Sequence, residues 1–327
     1  NIITGIRLRL FMAKRRSAGK IQPAPLTHDF IIAVPPNSTA YETLDLSQVA
    51  SIVNRRFYRQ GLSWVVSGFK ILSSAGASGD IGVYKLPSTW MVSNAWEKCF
   101  RAWQRQQREA LDDGNNESVK AAFNDFKIYM DDVHHAAGIP ANMIPVYNTQ
   151  LGEWEASQIV IPNFGAPGVN YEPYFHMVGD DVAGVGGSLG MVKAYAASRG
   201  VPQSPDPAVP PIVLSNENYL NMMFDVGDNN EDVMDNVVDK NNDLPYDQVD
   251  YPGADVQDPY LAVHDQGKIT ASTVGGTTHL KGGVFPCGLV RFKFVNPDLE
   301  NSMALVLLVE LVPGPSRGYL TQPMTEM

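Results

Sequence analysis

The sequence predicts a mainly β protein, organised as an antiparallel sandwich of two sheets. Short apolar or alternating runs recur along the 327 residues, and turn residues separate them. The 28 glycines and 23 prolines favour many turns and long loops over a helical bundle. Strands and helices do not alternate regularly, as they would around a parallel sheet. A chain of this length can still form a single sandwich domain.

Eight runs are predicted to be the strands of this sandwich. The last run is apolar on both faces, which is typical of a central strand. The last two runs are expected to pair as a hairpin through the turn at Asn296, Pro297 and Asp298. The predicted strands are Leu26–Val34, Leu62–Leu72, Ile81–Lys85, Trp154–Ile161, Tyr171–Val178, Tyr260–His264, Leu289–Val295 and Met303–Leu311.

Two predicted helices form an insertion at about residues 90–138. The first runs from about Ser93 to Leu111, because Trp96, Phe100 and Trp103 recur at helical spacing. The second runs from about residue 118 to residue 137 and ends before Gly138. Its predicted apolar face consists of Phe123, Phe126, Met130 and Val133.

The charges are distributed unevenly along the chain. The whole chain carries a net charge of −10, yet residues 1–20 contain six basic residues and no acidic one. A cationic arm on an acidic body attracts phosphate at one end, so we predict that the arm contacts nucleic acid. A solvated, disordered chain start and a nuclear import signal are the alternatives. The basic residues of the arm are Arg7, Arg9, Lys14, Arg15, Arg16 and Lys20.

A second basic cluster follows in the body, which we expect to be one domain over residues 21–327. Arg55, Arg56 and Arg59 are interleaved with Phe57 and Tyr58. Guanidinium groups beside aromatic rings suit phosphate contacts together with base stacking on single strands. The three arginines are therefore predicted to bind nucleic acid. A subunit interface uses the same residue types, and a plain surface patch is a third interpretation.

An acidic stretch lies within a long predicted loop at about residues 200–258. Asp225–Asp258 contains eleven acidic residues and one basic residue. Asp239, Asn241, Asp243 and Asp250 fall at the first, third, fifth and twelfth positions of a calcium-binding loop. Leu244 occupies the position where such a loop needs glycine, so an EF-hand is not predicted. A looser calcium site and a solvated outer loop both remain open.

The catalytic candidates are weak, and the sequence predicts a protein that is not an enzyme. Gly179, Asp180 and Asp181 match the metal-binding tripeptide of RNA-dependent polymerases, but a turn with solvated aspartates fits better. Asp131 and His135 lie one helical turn apart as a two-ligand metal clasp, for which no third ligand can be named. No nucleophile motif or triad is present.

Other sequence features exclude further classes. No run of about eighteen apolar residues occurs, so no transmembrane helix is predicted. The apolar stretch before Arg7 is too short for a secretory signal. Cys99 and Cys287 lie far apart and form neither a zinc pattern nor a disulfide framework. We therefore expect a reducing, intracellular compartment.

Four segments, which cover about a third of the chain, carry a family resemblance. Arg55–Lys70, Leu86–Leu111, Phe126–Gly138 and Gly152–Asn163 resemble capsid proteins of small circular single-stranded DNA viruses. The likeness is to the CRESS-DNA type found in environmental and aquatic samples. It implies a jelly-roll fold and self-assembly into an icosahedral shell of about 60 copies.

The resemblance also implies a cargo and a location. It implies a circular single-stranded DNA genome, a basic arm turned inward and a place in the virion. The host nucleus during assembly is the further expectation if Lys14, Arg15 and Arg16 are an import signal. Residues 7–20 fill the place of that arm, although many relatives have a longer arm that is richer in arginine. Six charges on each of about 60 copies would neutralise only about 360 phosphates, so we expect either that polyamines or metal ions supply the rest or that the authentic arm is longer.

Two rival functions remain at this stage. The first is a carbohydrate-binding β-sandwich, in which tryptophan-rich loops and a calcium site would bind sugars. The second is a metal-dependent enzyme that uses Asp180, Asp181 or the pair His134 and His135.

Overall fold

The computed structural model describes residues 24–114, 125–147, 154–162, 170–199, 231, 235, 260–270 and 276–326. Within these residues, eight long strands form two antiparallel sheets, so the predicted mainly β class is confirmed. The strands are β1 Thr27–Val34, β2 Ser38–Asp45, β3 Leu62–Ser73, β4 Gly79–Lys85, β5 Ala262–Ile269, β6 Thr277–Phe285, β7 Leu289–Asn296 and β8 Met303–Leu311.

The strand order divides consecutive strands between the two sheets. The first sheet has the order β1-β8-β3-β6 and the second has the order β2-β7-β4-β5. Every connection between consecutive strands therefore crosses from one sheet to the other, except that from β4 to β5, which are neighbours in the second sheet. The residues between β4 and β5 are the long insertion of this chain. Thr321–Pro323 adds a short strand beside the start of β3.

The core lies between the two sheets and consists of alternate residues of each strand. Phe69 on β3 packs edge-to-face against Phe285 and Phe292, with ring centroids 5.6 and 5.3 Å apart. β8 lies between β1 and β3, as predicted for a strand that is apolar on both faces. The predicted hairpin of the last two strands is wrong. β7 and β8 lie in opposite sheets because both bury apolar residues in the shared core from opposite sides.

Several other predicted strands differ in the structure. Trp154–Ile161 is irregular apart from its last residue, which belongs to the short strand Ile161–Pro162. Tyr171–Val178 is broken: Tyr171 belongs to the short strand Asn170–Tyr171, which pairs with Ile161–Pro162, and Tyr174–His176 pairs with Ser188–Gly190. β2 and β6 were not predicted. β2 has mostly polar, half-exposed residues and β6 contains two glycines, so neither shows a clear apolar period.

The helices were predicted only in part. α1 Leu46–Asn54 was missed, whereas α2 Trp90–Asp113 confirms the first predicted helix and extends it at both ends. The second predicted helix is wrong over residues 125–131, and in the described part of its range only α3 Asp132–Ala137 is helical; residues 118–124 lie outside the described residues. In the extended part, the amide N–H of Tyr129 donates to the carbonyl of Phe175 at 2.8 Å rather than to a preceding turn. α4 Met191–Arg199 follows later in the insertion.

The insertion forms a second layer with an apolar cluster of its own. The layer consists of α2, residues 125–143, residues 174–192 and the last residues around Met324. It lies at the end of the sandwich where β2 and β4 finish and β7 begins, since Asp45 pairs with Leu289 and Lys85 pairs with Val290. The other end carries the short connections from β1 to β2, from β3 to β4 and from β7 to β8, and the one from β5 to β6, of which residues 271–275 lie outside the described residues. In the described part of the chain, no helix is both long and apolar enough to cross a membrane.

Candidate nucleic-acid interface

One buried carboxylate organises the loop that carries the predicted basic cluster. Asp45 caps α1 by accepting hydrogen bonds from the amide N–H groups of Ser47 at 2.9 Å and Gln48 at 3.1 Å. Its other oxygen accepts from Gln60 Nε2 at 3.0 Å and from Trp154 Nε1 at 3.2 Å. Burial raises the pKa of Asp45, although the hydrogen bonds from Ser47, Gln48 and Gln60 oppose the shift. The start of α1 and the end of the following loop are therefore held by the same side chain.

The predicted arginines lie on the surface at the end of α1. Arg55 terminates the helix in a left-handed conformation with φ of 50°, and its side chain is exposed together with those of Arg56 and Arg59. Arg317 joins them from the far end of the sequence, because its Nη1 donates to the carbonyl of Phe57 at 2.6 Å. We call Arg55, Arg56, Arg59 and Arg317 the arginine surface. No carboxylate of the described residues forms an ion pair with any of them.

Tyr58 lies beneath the arginine surface, and its ring is buried and not part of the exposed face. Its side chain is 3% exposed, and its ring packs against Trp64 and Tyr319 with centroids 5.9 and 5.5 Å away. Its hydroxyl donates to the carbonyl of Arg317 at 3.0 Å. Burial raises the pKa of Tyr58 despite the opposing effect of Arg56 and Arg317. The expectation that this ring stacks on bases is therefore wrong.

The chain enters the sandwich directly beside the arginine surface. The Tyr319 hydroxyl donates to the carbonyl of Pro25 at 2.8 Å and accepts from Asn54 Nδ2 at 2.9 Å. One hydroxyl thus connects the residue before Arg55 to the second described residue of the chain. The arm cations Arg7, Arg9, Lys14, Arg15, Arg16 and Lys20 lie outside the described residues.

Other buried polar contacts hold the inserted layer against this end of the sandwich. Gln60 clamps Ile128, since its Oε1 accepts from the amide N–H at 2.6 Å and its Nε2 donates to the carbonyl at 3.1 Å. On the outer face of the second sheet, Arg291 pairs with Asp131 at 2.6 Å and donates to Thr43 Oγ1 at 2.8 Å. The ion pair is almost fully shielded from solvent. Removing either partner would therefore leave a buried charge unpaired, which is costly.

A neutral histidine completes the attachment. His134 Nδ1 accepts from the amide N–H of Met130 at 3.0 Å, so its Nε2 carries the proton and donates to Asn142 Oδ1 at 2.8 Å. Asn142 Nδ2 then donates to Gln48 Oε1 on α1 at 2.9 Å. Burial lowers the pKa of His134 to about 4. The inserted layer therefore depends on an uncharged imidazole at this joint.

The weaker site candidates are engaged in structural contacts. Asp131 caps α3 and pairs with Arg291, and the His135 ring packs against Tyr129, so the two do not form the considered clasp. Asp180 pairs with Lys193 at 2.9 Å, and Asp181 accepts from the amide N–H of Gly190 at 2.8 Å.

Metal ligation receives no support within the described ranges. They hold no group of three or more His, Cys, Asp or Glu side chains placed to bind a metal ion. The possible calcium ligands Asp239, Asn241, Asp243 and Asp250 lie outside those ranges.

Sequence reasoning missed Arg317, although it identified the other three members of the arginine surface. Arg317 lies 260 positions from Phe57, and no local pattern reveals that the two meet.

Comparison with known proteins finds no family model, no curated protein and no solved structure that matches the chain.

Proposed function

We propose that this chain is the capsid subunit of a small virus and that it binds single-stranded DNA at the end of the sandwich that carries the arginine surface. The shared Tyr319 hydroxyl is the observation that carries the proposal. It holds Pro25, which follows the last cation of the basic arm by five positions, beside the arginine surface. Five residues of chain reach at most about 18 Å, so Lys20 is tethered close to this surface. Ten cations of one subunit can then act on the same strand.

We also propose that the sandwich is a jelly roll. Four pairs of neighbouring strands are those that a single long hairpin would form: β1 with β8, β2 with β7, β3 with β6, and β4 with β5. Winding such a hairpin into two sheets produces the order found here. This architecture is used by viral shells and also by lectins, so it supports the proposal without deciding between them.

Assembly into a shell of about 60 copies would bury surface that one copy leaves exposed. Ile31 on the edge strand β1 is 67% exposed, and Leu299 at the short-loop end is 75% exposed. Apolar side chains of this size gain free energy when a neighbouring copy covers them. With the arginine surface turned to the genome, the short-loop end would face away from it. The location that follows is the virion, with the host nucleus during assembly.

The DNA-binding part is tested by the salt dependence of affinity. Each phosphate contact to a single strand contributes about 0.7 to the slope of log affinity against log salt. Replacing all four members of the arginine surface by alanine should make the slope shallower by about 3, and deleting residues 1–20 should add to this. The control replaces Arg101, Arg105 and Arg108, which are exposed on α2 in the inserted layer and of which the first two pair with Glu97 and Glu109. Equal slopes for the arginine-surface variant and the unmodified chain would contradict the proposal.

The assembly part is tested by negative-stain microscopy of purified protein over a range of salt and protein concentrations. We expect uniform closed particles, formed more readily with single-stranded DNA. Dispersed single subunits under every condition would rule out the capsid function.

A groove gives the carbohydrate-binding alternative specific support. The groove, of about 540 Å³, lies on the outer face of the second sheet. Gly82 forms its floor between Lys293 and Gln266, and the ring of Tyr84 lies against this glycine. An aromatic ring beside amide and charged groups suits a saccharide. Glycan-array binding that disappears in Tyr84→Ala, together with an absence of DNA binding, would favour this function.

A further inference from the structure

A second cavity lies next to Arg59, at the joint between the sandwich and the inserted layer. Its volume is about 280 Å³, and Arg59, Asp125 and the segment around Met324 line its polar side. Trp96, Phe100 and Phe126 form its aromatic wall. The rings of Trp96 and Phe100 are stacked with centroids 4.9 Å apart, and Phe126 meets Trp96 edge-on at 6.2 Å. Flat aromatic groups gain stacking contacts at such a wall.

The wall contains a hydrogen-bond donor that has no acceptor. Trp96 is 7% exposed, and its Nε1–H has no hydrogen-bond partner. Buried N–H groups nearly always have an acceptor, because burial without one costs free energy. Glycine at position 61 lets the ring approach this closely, since a Cβ there would lie 2.2 Å from Trp96 Cζ2. The ring position is thus set by the backbone, and among the described residues this N–H is left without an acceptor.

The cavity carries polar groups of both signs. Asp125 Oδ2 is buried and has no hydrogen-bond partner in the described part of the chain, although Lys127 Nζ lies 3.3 Å from it. Arg59 lies on the rim and supplies a positive charge. An ammonium or guanidinium group has no acceptor for the Trp96 N–H. The cavity therefore suits a flat, aromatic group that carries acceptors and is attached to an anion.

We propose that this cavity receives one unstacked nucleobase of the bound single strand, while the adjoining phosphate lies against Arg59. A ring nitrogen or carbonyl oxygen of the base accepts from Trp96 Nε1, and the base face lies against the aromatic wall. The inference rests on the proposed DNA binding and adds a base-dependent contact to one that otherwise recognises phosphate alone.

The test compares two strands of about ten nucleotides on the full chain, one of thymidine and one with abasic sugars at every position. Both strands carry the same phosphates. We expect the thymidine strand to bind about fivefold or more tightly, which is the contribution of stacking one base. Trp96→Phe keeps the aromatic wall and removes the donor, so it should weaken thymidine binding about threefold and leave abasic binding unchanged.

Trp64→Phe is the matched control. Trp64 is fully buried in the sandwich core, and its Nε1 also lacks an acceptor, but it does not line the cavity. Its replacement should leave the preference for thymidine unchanged. Equal affinity of the unmodified chain for both strands would overturn the base pocket and leave the proposed function standing. An unchanged preference in Trp96→Phe would also overturn it. Binding of neither strand at low salt would refute the proposed function itself.

Discussion

The sandwich and the inserted layer are held together by different kinds of contact. Between the sheets, Phe69, Phe285 and Phe292 belong to a continuous apolar core. The layer has its own apolar cluster, but its described joint to the sandwich includes the Arg291–Asp131 ion pair and the Gln60 clamp. Apolar contacts are tolerant of exact geometry, whereas buried polar contacts require it. The joint therefore fixes one orientation of the layer, and the candidate interface lies along it.

Two neighbouring residues of β7 test the difference between the apolar core and the polar joint. Their replacement should give the largest losses in the free energy of unfolding. Phe292 points into the sandwich core, and Arg291 points outward to Asp131. Phe292→Ala should lower the free energy of unfolding by about 3–5 kcal/mol and weaken the whole domain together. Arg291→Met should cost a similar amount by leaving Asp131 buried and unpaired, but should open the layer first.

Hydrogen exchange resolved along the chain distinguishes the two variants. In Arg291→Met, residues 125–143 should lose protection while β3 and β8 retain it. Lys193→Met is the control, because it breaks an exposed ion pair with Asp180 and should cost less than about 1 kcal/mol. Uniform loss of protection in Arg291→Met would show that the layer and the sandwich are one cooperative unit.

Acid should act on both regions through buried histidines. Burial lowers the pKa of His28 in β1 and of His134 in the layer to about 4, below the ordinary value of 6.5. The unfolded chain therefore binds more protons between these values, so the free energy of unfolding falls as pH drops from about 6.5 to 4. Each histidine should contribute a loss of about 3 kcal/mol by pH 4.

Denaturant unfolding at several pH values measures this loss. His134→Gln cannot take up the proton, so its stability should fall less steeply with acid than that of the unmodified chain. His279→Gln alters an exposed histidine and should leave the slope unchanged. Parallel slopes for His134→Gln and the unmodified chain would mean that His134 is not buried in the neutral form.

Two glutamines that each bind both backbone groups of another residue allow the effect of burial on the free energy of unfolding to be measured. Gln60 binds both backbone groups of Ile128 in the interior, and Gln106 on α2 binds both backbone groups of Val160 at 2.9 and 2.6 Å near solvent. Gln60→Leu should cost about 2 kcal/mol, because the backbone groups of Ile128 and the Asp45 carboxylate lose their partner. Gln106→Leu should cost well under about 1 kcal/mol, because water replaces the amide. Similar losses in thermal unfolding would contradict the distinction.

The parts of the fold that were predicted are those in which one period dominates. β1, β3, β8 and α2 bury side chains at regular spacing, and their apolar residues repeat accordingly. The error at residues 125–131 has a physical cause. Phe126 and Met130 are spaced as on a helix, but the backbone of this segment bonds to Gln60 and Phe175 instead. Partners that lie far away in the sequence leave no periodic pattern.

The candidate site also has a part that the sequence predicted and a part that it did not. Arg55, Arg56 and Arg59 were found because they are close together in the sequence. Arg317 and the pocket beside Arg59 were not, because Trp96, Asp125 and Met324 meet only after the layer has docked.

The smallest expected effect concerns the start of α2, which carries the pocket wall. Thr89 caps this helix, and its Oγ1 accepts from the amide N–H of Val92 at 3.4 Å. Thr89→Ala should lower the free energy of unfolding by about 1 kcal/mol, whereas Thr89→Ser keeps the hydroxyl and should cost less. Because Trp96 and Phe100 follow on the same helix, fraying at its start should reduce the preference for thymidine over abasic strands before it reduces overall stability. Binding of both strands to Thr89→Ala, measured below its unfolding transition, tests this order. An intact preference with lowered stability would mean that the pocket wall is held by the packing of the layer and not by the cap.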